Sequence, residues 1–173
     1  MKINDNITFR NLNNSDDDFK KIYNWCQEKF VYEWFEQRKL SYDEIVNKYK
    51  SKLDKGKQKL FIIKLNNEDI GLIQIYKYED DLNLKIKDAY EYDLFIGEEE
   101  YLNKGIGSVI INKINNIIFN EYNADYIILR PFKRNVRAVK CYLKCGFKEI
   151  KEYTGSDTLG NLEEILVLLL KKE

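Results

Sequence analysis

With 173 residues, and with 29 Lys and Arg set against 29 Asp and Glu, the chain is long enough for one domain with a sizeable core and carries no net charge. That balance leaves no electrostatic footprint for nucleic acid or an anionic membrane surface. Histidine is absent, so His-dependent triads are excluded, a zinc site is not expected, and any general base must be a carboxylate, tyrosine, lysine, thiolate or water. The apolar run at 165–170 is far too short to span a bilayer. The polar N-terminus has no apolar leader, and a cytoplasmic protein is expected.

In chain order, Ile7-Thr8-Phe9-Arg10 alternates as a first strand. Ser15 offers an N-cap with Asp16, Asp17 and Asp18 in the first turn, where negative charge suits the helix dipole. Phe19, Ile22, Tyr23 and Cys26 mark the inner face of that helix. The stretch Phe30-Val31-Tyr32-Glu33-Trp34-Phe35-Glu36 is dense in aromatics and acids and shows no clear period. Ser41-Tyr42-Asp43-Glu44 matches a capping box and opens a second helix with Ile45, Val46 and Tyr49 inside.

Residues 59–65 and 70–78 are apolar runs joined by Asn66-Asn67-Glu68-Asp69, a predicted hairpin. Residues 79–90 read as a polar loop, and 90–96 as another strand. Ile110, Ile114, Ile117 and Ile118 then recur on one face of a helix. Tyr126-Ile127-Ile128-Leu129 is a short buried strand stopped by Pro131, the only proline. Asn135 starts a helix carrying Ala138, Val139, Tyr142 and Leu143, closed at Gly146. Residues 147–150 and 164–170 end the chain as two strands around a polar loop. No repeat or linker interrupts this order, so a single domain over residues 1–173 is expected. Cys26, Cys141 and Cys145 contain no CxxC and read as reduced thiols.

The pattern centres on Lys104-Gly105-Ile106-Gly107-Ser108, between the strand at 90–96 and the isoleucine-rich helix. Gly105 and Gly107 remove Cβ atoms that would hold a ligand away from the main chain. The first amides of a helix lack intrahelical partners and sit at the positive end of its dipole, which makes an anion site. A plain tight turn into a helix is the other reading of two glycines. Neither the dinucleotide GxGxxG nor the GxxxxGK[ST] phosphate loop is present.

The element order, this glycine turn after the fourth strand, and Asn135-x-x-Ala138-x-x-x-Tyr142-x-x-x-Gly146-Phe147 after the fifth together resemble the GNAT superfamily of acetyl-CoA-dependent N-acetyltransferases. The resemblance covers nearly the whole chain. It implies an α/β fold with a mixed, largely antiparallel sheet of six to seven strands, about four flanking helices, and a V-shaped splay between the fourth and fifth strands. It implies acetyl-CoA as co-substrate, with its pyrophosphate on the amides from Lys104 through Gly105, Ile106 and Gly107 to Ser108. The pantetheine arm would lie along the main chain at Phe95 and Ile96, beside Asn135 and Ala138, and Tyr142 would stand near the sulfur. Leu102 departs from the family, which usually has Gln or Arg three residues before the first glycine.

Within the superfamily, Ile70-Gly71-x-x-Gln74-Ile75-Tyr76-Lys77, Asp93-x-Phe95-Ile96-Gly97-Glu98 and Asn135-x-Arg137-Ala138 resemble the aminoglycoside 6'-N-acetyltransferases. There Asp93 falls on a strand aspartate that acts as base or orients the amine, and Tyr142 protonates the departing thiolate. A polycationic acceptor implies an acidic site, for which Glu33, Glu36, Glu79, Asp80, Asp81 and Glu91 are candidates, with Trp34 and Tyr76 as flat faces for sugar rings. Arg130 stands where many such enzymes carry an acid, and either alters the acceptor or pairs with a nearby acid. The expected partner is a small amine, the expected assembly a monomer or homodimer. The alternatives are another small amine, a peptide or a protein amino group as acceptor, or a non-catalytic acetyl-CoA-binding module. A covalent acetyl-cysteine on Cys141 or Cys145 is disfavoured, since no base is placed beside them.

Overall fold

The computed structural model describes residues 6–173. They fall into two compact units, one made of the residues up to Ile75 plus Asp93–Lys104, the other of Tyr76–Tyr92 plus Gly105–Glu173. The elements are β1 (Ile7–Asn11), α1 (Asp16–Trp25), α2 (Lys29–Phe35), α3 (Tyr42–Lys55), β2 (Gln58–Leu65), β3 (Glu68–Lys77), β4 (Ala89–Ile96), a short 3-10 turn (Glu99–Tyr101), α4 (Ile106–Glu121), β5 (Tyr126–Leu129), α5 (Val136–Lys144), β6 (Lys148–Ser156) and β7 (Leu162–Lys171). The seven strands run in the order β1-β2-β3-β4-β5-β7-β6. This is the expected mixed sheet, and β4–β5 is its parallel pair.

In the first unit the expected caps form. Ser15 accepts from the Asp18 amide, and Ser41 and Glu44 close a reciprocal capping box on α3. The β2–β3 hairpin turns on two residues, Asn66 and Asn67, both at positive φ (50° and 70°). Asparagine tolerates that conformation, and it matches the strand twist. The core gathers Phe19, Ile22, Trp25, Val31, Ile45, Tyr49, Ile62, Leu72 and Phe95. Gly71 is required by close strand approach, because a Cβ there would lie 2.2 Å from the Phe95 carbonyl oxygen.

The aromatic stretch that shows no clear period in sequence is the helix α2, which makes five α-helices among the described residues rather than about four. Its aromatic and β-branched residues are weak helix formers, and Glu28 at its N-cap makes no side-chain cap bond. Tertiary packing holds it instead. Val31 is buried, and the Phe35 ring meets Phe95 edge-on at 4.9 Å between centroids.

In the second unit β5 pairs antiparallel with β7 from Tyr126↔Lys171 to Leu129↔Leu168, and β7 pairs with the edge strand β6. α4 buries Ile106, Ile110, Ile111, Ile114 and Ile118. Ile117, expected on the same face, is half-buried. The pairing of β4 with β5 covers Ala89↔Tyr126, Tyr90↔Ile127 and Glu91↔Ile128, while β4 runs on to Ile96. β6 outruns the expected 147–150 because its ladder with β7 continues to Ser156↔Leu162, along a charged, exposed edge that shows no apolar alternation.

Candidate active site

In the second unit the glycine turn and the α5 motif meet. Gly105 caps α4 in the left-handed region (φ +78°), which brings the chain round so that the helix starts at Ile106. Lys104 and Gly105 are exposed, Ile106 is buried, and Gly107 and Ser108 are half-buried. No acid occupies the first turn of α4, so the amides at its N-terminus face no anion from their own helix. Against this turn packs α5. Cys141 Sγ lies 3.5 Å from Ser108 Oγ, and a Cβ on Gly107 would come 3.5 Å from the same sulfur. Cys145 Sγ approaches the Ser108 carbonyl at 3.7 Å.

Asn135 caps α5, its Oδ1 accepting from the Ala138 amide at 3.2 Å. The cap engages the amide oxygen, and the Nδ2 donors are what it can offer a ligand. Ala138 and Tyr142 are half-buried on α5, and the Tyr142 ring packs 5.9 Å from Phe147. Burial pushes the Cys145 thiol up to about 11, which leaves it protonated at neutral pH and poor as a nucleophile. All three cysteines are free.

The same unit holds Tyr76, half-buried at the end of β3, and the salt bridge that absorbs Arg130. Arg130 Nε meets Glu91 Oε1 at 2.6 Å, its Nη2 meets Oε2 at 2.8 Å, and Nη1 meets Asp81 at 2.7 Å. Glu91 is a buried counter-ion, 5% exposed at the side chain. Asp80 ties its own loop, accepting from the amides of Leu84 and Lys85 and from the Tyr78 hydroxyl. Of the expected acids here, Glu79 and Asp81 are exposed.

In the first unit the end of β4 goes from exposed to buried along one face: Asp93 is exposed and Phe95 buried, with Leu94 and Ile96 half-buried on the other. Phe95 is clamped edge-on by Trp25 and Phe35, and Trp25 Nε1 donates to Glu98 at 2.8 Å. Glu33 and Trp34 are half-buried on α2. Lys48 of α3 bonds Glu36, and Lys52 bonds the buried Gln74. Burial lowers both lysines. Repulsion from Lys52 adds to this at Lys48, and the charge of Asp93 pulls both back up.

A profile of the acetyltransferase (GNAT) domain matches residues 14–154. This chain belongs to the GNAT acetyltransferase family. Among GNAT relatives, the aminoglycoside N(6')-acetyltransferase type 1 of Klebsiella pneumoniae is 25% identical over 165 residues, covering 89% of this chain and 80% of that protein. A kanamycin resistance protein of Rhizobium radiobacter is 29% identical over 65 residues, covering 38% of this chain and 60% of that protein. The GNAT fold is shared with AAC(6')-Ib, solved with paromomycin and acetyl-CoA, at TM-score 0.83 and 22% identity over 96% of this chain and 94% of that one. It is also shared with the spermidine N-acetyltransferase of Vibrio cholerae, solved with CoA and spermine, at TM-score 0.79 and 20% identity over 96% of each chain.

The lysines beside Asp93 were not among the residues expected from sequence, although a signal for them exists. Ile45, Lys48, Tyr49 and Lys52 fall at i, i+3, i+4 and i+7 of α3, one inward stripe, and a lysine on such a stripe needs a partner. Among the described residues no cluster of His, Cys, Asp and Glu could hold a metal ion, and no helix is long and apolar enough to cross a membrane.

Proposed function

We propose that this GNAT protein transfers the acetyl group of acetyl-CoA to the 6'-amino group of aminoglycosides, by direct attack within a ternary complex. The observation that carries the cofactor half is the bare helix start at 105–108, with α5 packed onto it through Cys141. It supports a pyrophosphate held by the amides from Lys104 to Ser108. Asn135 and Ala138 would flank the pantetheine arm, and the main chain at Phe95 and Ile96 would pair with it. The acceptor half draws on the relative of Klebsiella pneumoniae, named for N(6') acetylation and aligned along 89% of this chain.

In this reading Asp93 receives the acceptor ammonium, takes its proton directly or through water, and holds the freed amine towards the thioester. A main-chain amide of β4 polarises the carbonyl oxygen. Tyr142, protonated at neutral pH with a reference pKa of about 10, gives its proton to a thiolate whose conjugate acid is at about 8.5. Most of the rate gain comes from orientation and fixed dipoles. Glu33, Trp34 and Tyr76 belong to acceptor recognition, and Glu91 with Arg130 supports that region as an ion pair. We take residues 1–173 to act as one catalytic domain in the cytoplasm, as a monomer or homodimer. The family match spans residues of both units. The two lysines beside Asp93 favour a second reading, in which the acceptor is another small amine of lower charge.

The test is thiol release from acetyl-CoA with kanamycin, with its analogue carrying hydroxyl in place of the 6' amine, and with no acceptor. Release with kanamycin alone supports the reading. Equal release with both analogues, or none with either, overturns it.

A further inference from the structure

Two cations stand where a cationic acceptor is expected to be received. Lys48 and Lys52, each half-buried, share the inward stripe of α3 with Ile45 and Tyr49, which are fully buried. Lys48 Nζ sits 5.5 Å from the Phe35 ring centroid and 5.9 Å from that of Tyr49, and Lys52 Nζ sits 5.7 Å from Tyr49. The rings accept cations on their faces and carry the two ammonium groups to polar ends, Lys48 to Glu36 and Lys52 to Gln74 Oε1. The Glu36 side chain is 12% exposed and Gln74 is 3% exposed, so neither lysine is a loose surface charge. The Gly97 amide donates to the Ile70 carbonyl, a register that sets Gln74 of β3 opposite Asp93 of β4, so Lys52 ends beside Asp93, whose charge raises both lysines.

We propose that Lys48 and Lys52 are specificity-determining residues that act as built-in counter-ions to Glu36 and Asp93 and select acceptors by charge, favouring an amine with one ammonium near Asp93 over one with several. The inference rests on the reading that Asp93 receives the acceptor amine. A single ammonium gains Asp93 and meets the lysines once. Each further ammonium adds repulsion from both, and must displace Lys48 to reach Glu36. In a partly desolvated setting such repulsion is stronger than in water. The selectivity therefore comes from the positive groups as much as from the acids.

The experiment compares calorimetric binding of kanamycin and of a monoamine, methyl 6-amino-6-deoxyglucoside, to the CoA-loaded protein. Wild type, Lys48→Met, Lys52→Met and Lys48→Arg are tested, with melting temperatures and thiol-release kinetics in parallel. Each Met variant should tighten kanamycin binding about tenfold and lower its KM, leave the monoamine within about twofold, and Lys48→Arg should behave as wild type. Lys52→Met leaves the Lys48–Glu36 pair intact, and carries the test if Lys48→Met melts too low to use. Unchanged or weaker kanamycin binding in folded Met variants, an equal gain for the monoamine, or no binding by any variant overturns the proposal. Wild type that binds both amines and releases no thiol with either overturns the 6' reading instead, and the binding comparison still decides the role of the lysines.

Discussion

Arg130 grips Glu91 at two points, Nε to Oε1 at 2.6 Å and Nη2 to Oε2 at 2.8 Å, with Asp81 on its remaining nitrogen. The carboxylate is 5% exposed and the guanidinium 26%, so the fork is a partly buried, charge-assisted pair. The cation that in sequence suggests an altered acceptor is committed to two acids of its own unit. Arg130→Ala strips the fork from a buried carboxylate and should cost about 3–5 kcal/mol, read as a fall in the denaturation midpoint. Arg130→Asp, which on charge alone would make the region more welcoming to polycations, gathers three acids and should destabilise at least as much. The double variant Arg130→Met with Glu91→Met should recover most of the loss.

Gly107 separates ligand approach from folding. Its Cβ would meet only Cys141 Sγ, at an ordinary 3.5 Å, and its φ is not in the left-handed region. Gly107→Ala should therefore keep its melting temperature within about 1 kcal/mol of stability. If the pyrophosphate lies on these amides, the added methyl should weaken acetyl-CoA binding about tenfold or more, measured by titration calorimetry. Unchanged affinity would remove the phosphate from this turn.

Tyr142→Phe keeps the ring contact with Phe147 and removes the hydroxyl that would serve as the proposed proton donor. The expected result is a fall in kcat of about tenfold to a hundredfold, at the low end for acid catalysis because a thiolate leaves readily. The KM for either substrate should hardly move. Asp93→Asn should differ in kind, raising the acceptor KM as well as lowering kcat, if its charge receives the ammonium as proposed.

Acid stability should follow Asp69 and Asp18. Burial raises Asp69, but Arg10, Lys21 and Lys64 outweigh it and hold its carboxyl well below the usual carboxylate range. Burial also raises Asp18, and the Arg10 fork with the Asn13 amide overrides it. Depressed folded-state values mean that the stabilisation is complete above the unfolded carboxylate value of about 4 and is lost as pH falls through the folded values. Thermal melts should be flat from neutrality down to about pH 5 and drop below about pH 4. Asp69→Asn should lower the midpoint at pH 7 and flatten the acid limb.

Local chemistry was enough where one residue type has one good use. Ser15 and Ser41 capped their helices, the link beginning Asn66-Asn67 made a hairpin, though its turn is two residues rather than four, and the isoleucine spacing of α4 gave most of its buried face. Those elements, in their order, carried the family resemblance. The aromatic stretch at 30–36 could not be read this way, since its helicity depends on the burial of Val31 and on packing of Phe35 against Phe95, a ring distant in sequence. Charge partnerships were equally out of reach. Arg130 and Glu91 are 39 residues apart, Arg10 and Asp69 are 59 apart, and Lys52 and Gln74 are 22 apart. A sequence shows which groups are charged; whether each charge is spent on the fold or kept for a ligand depends on burial and on which strands lie side by side, and only the tertiary structure decides that.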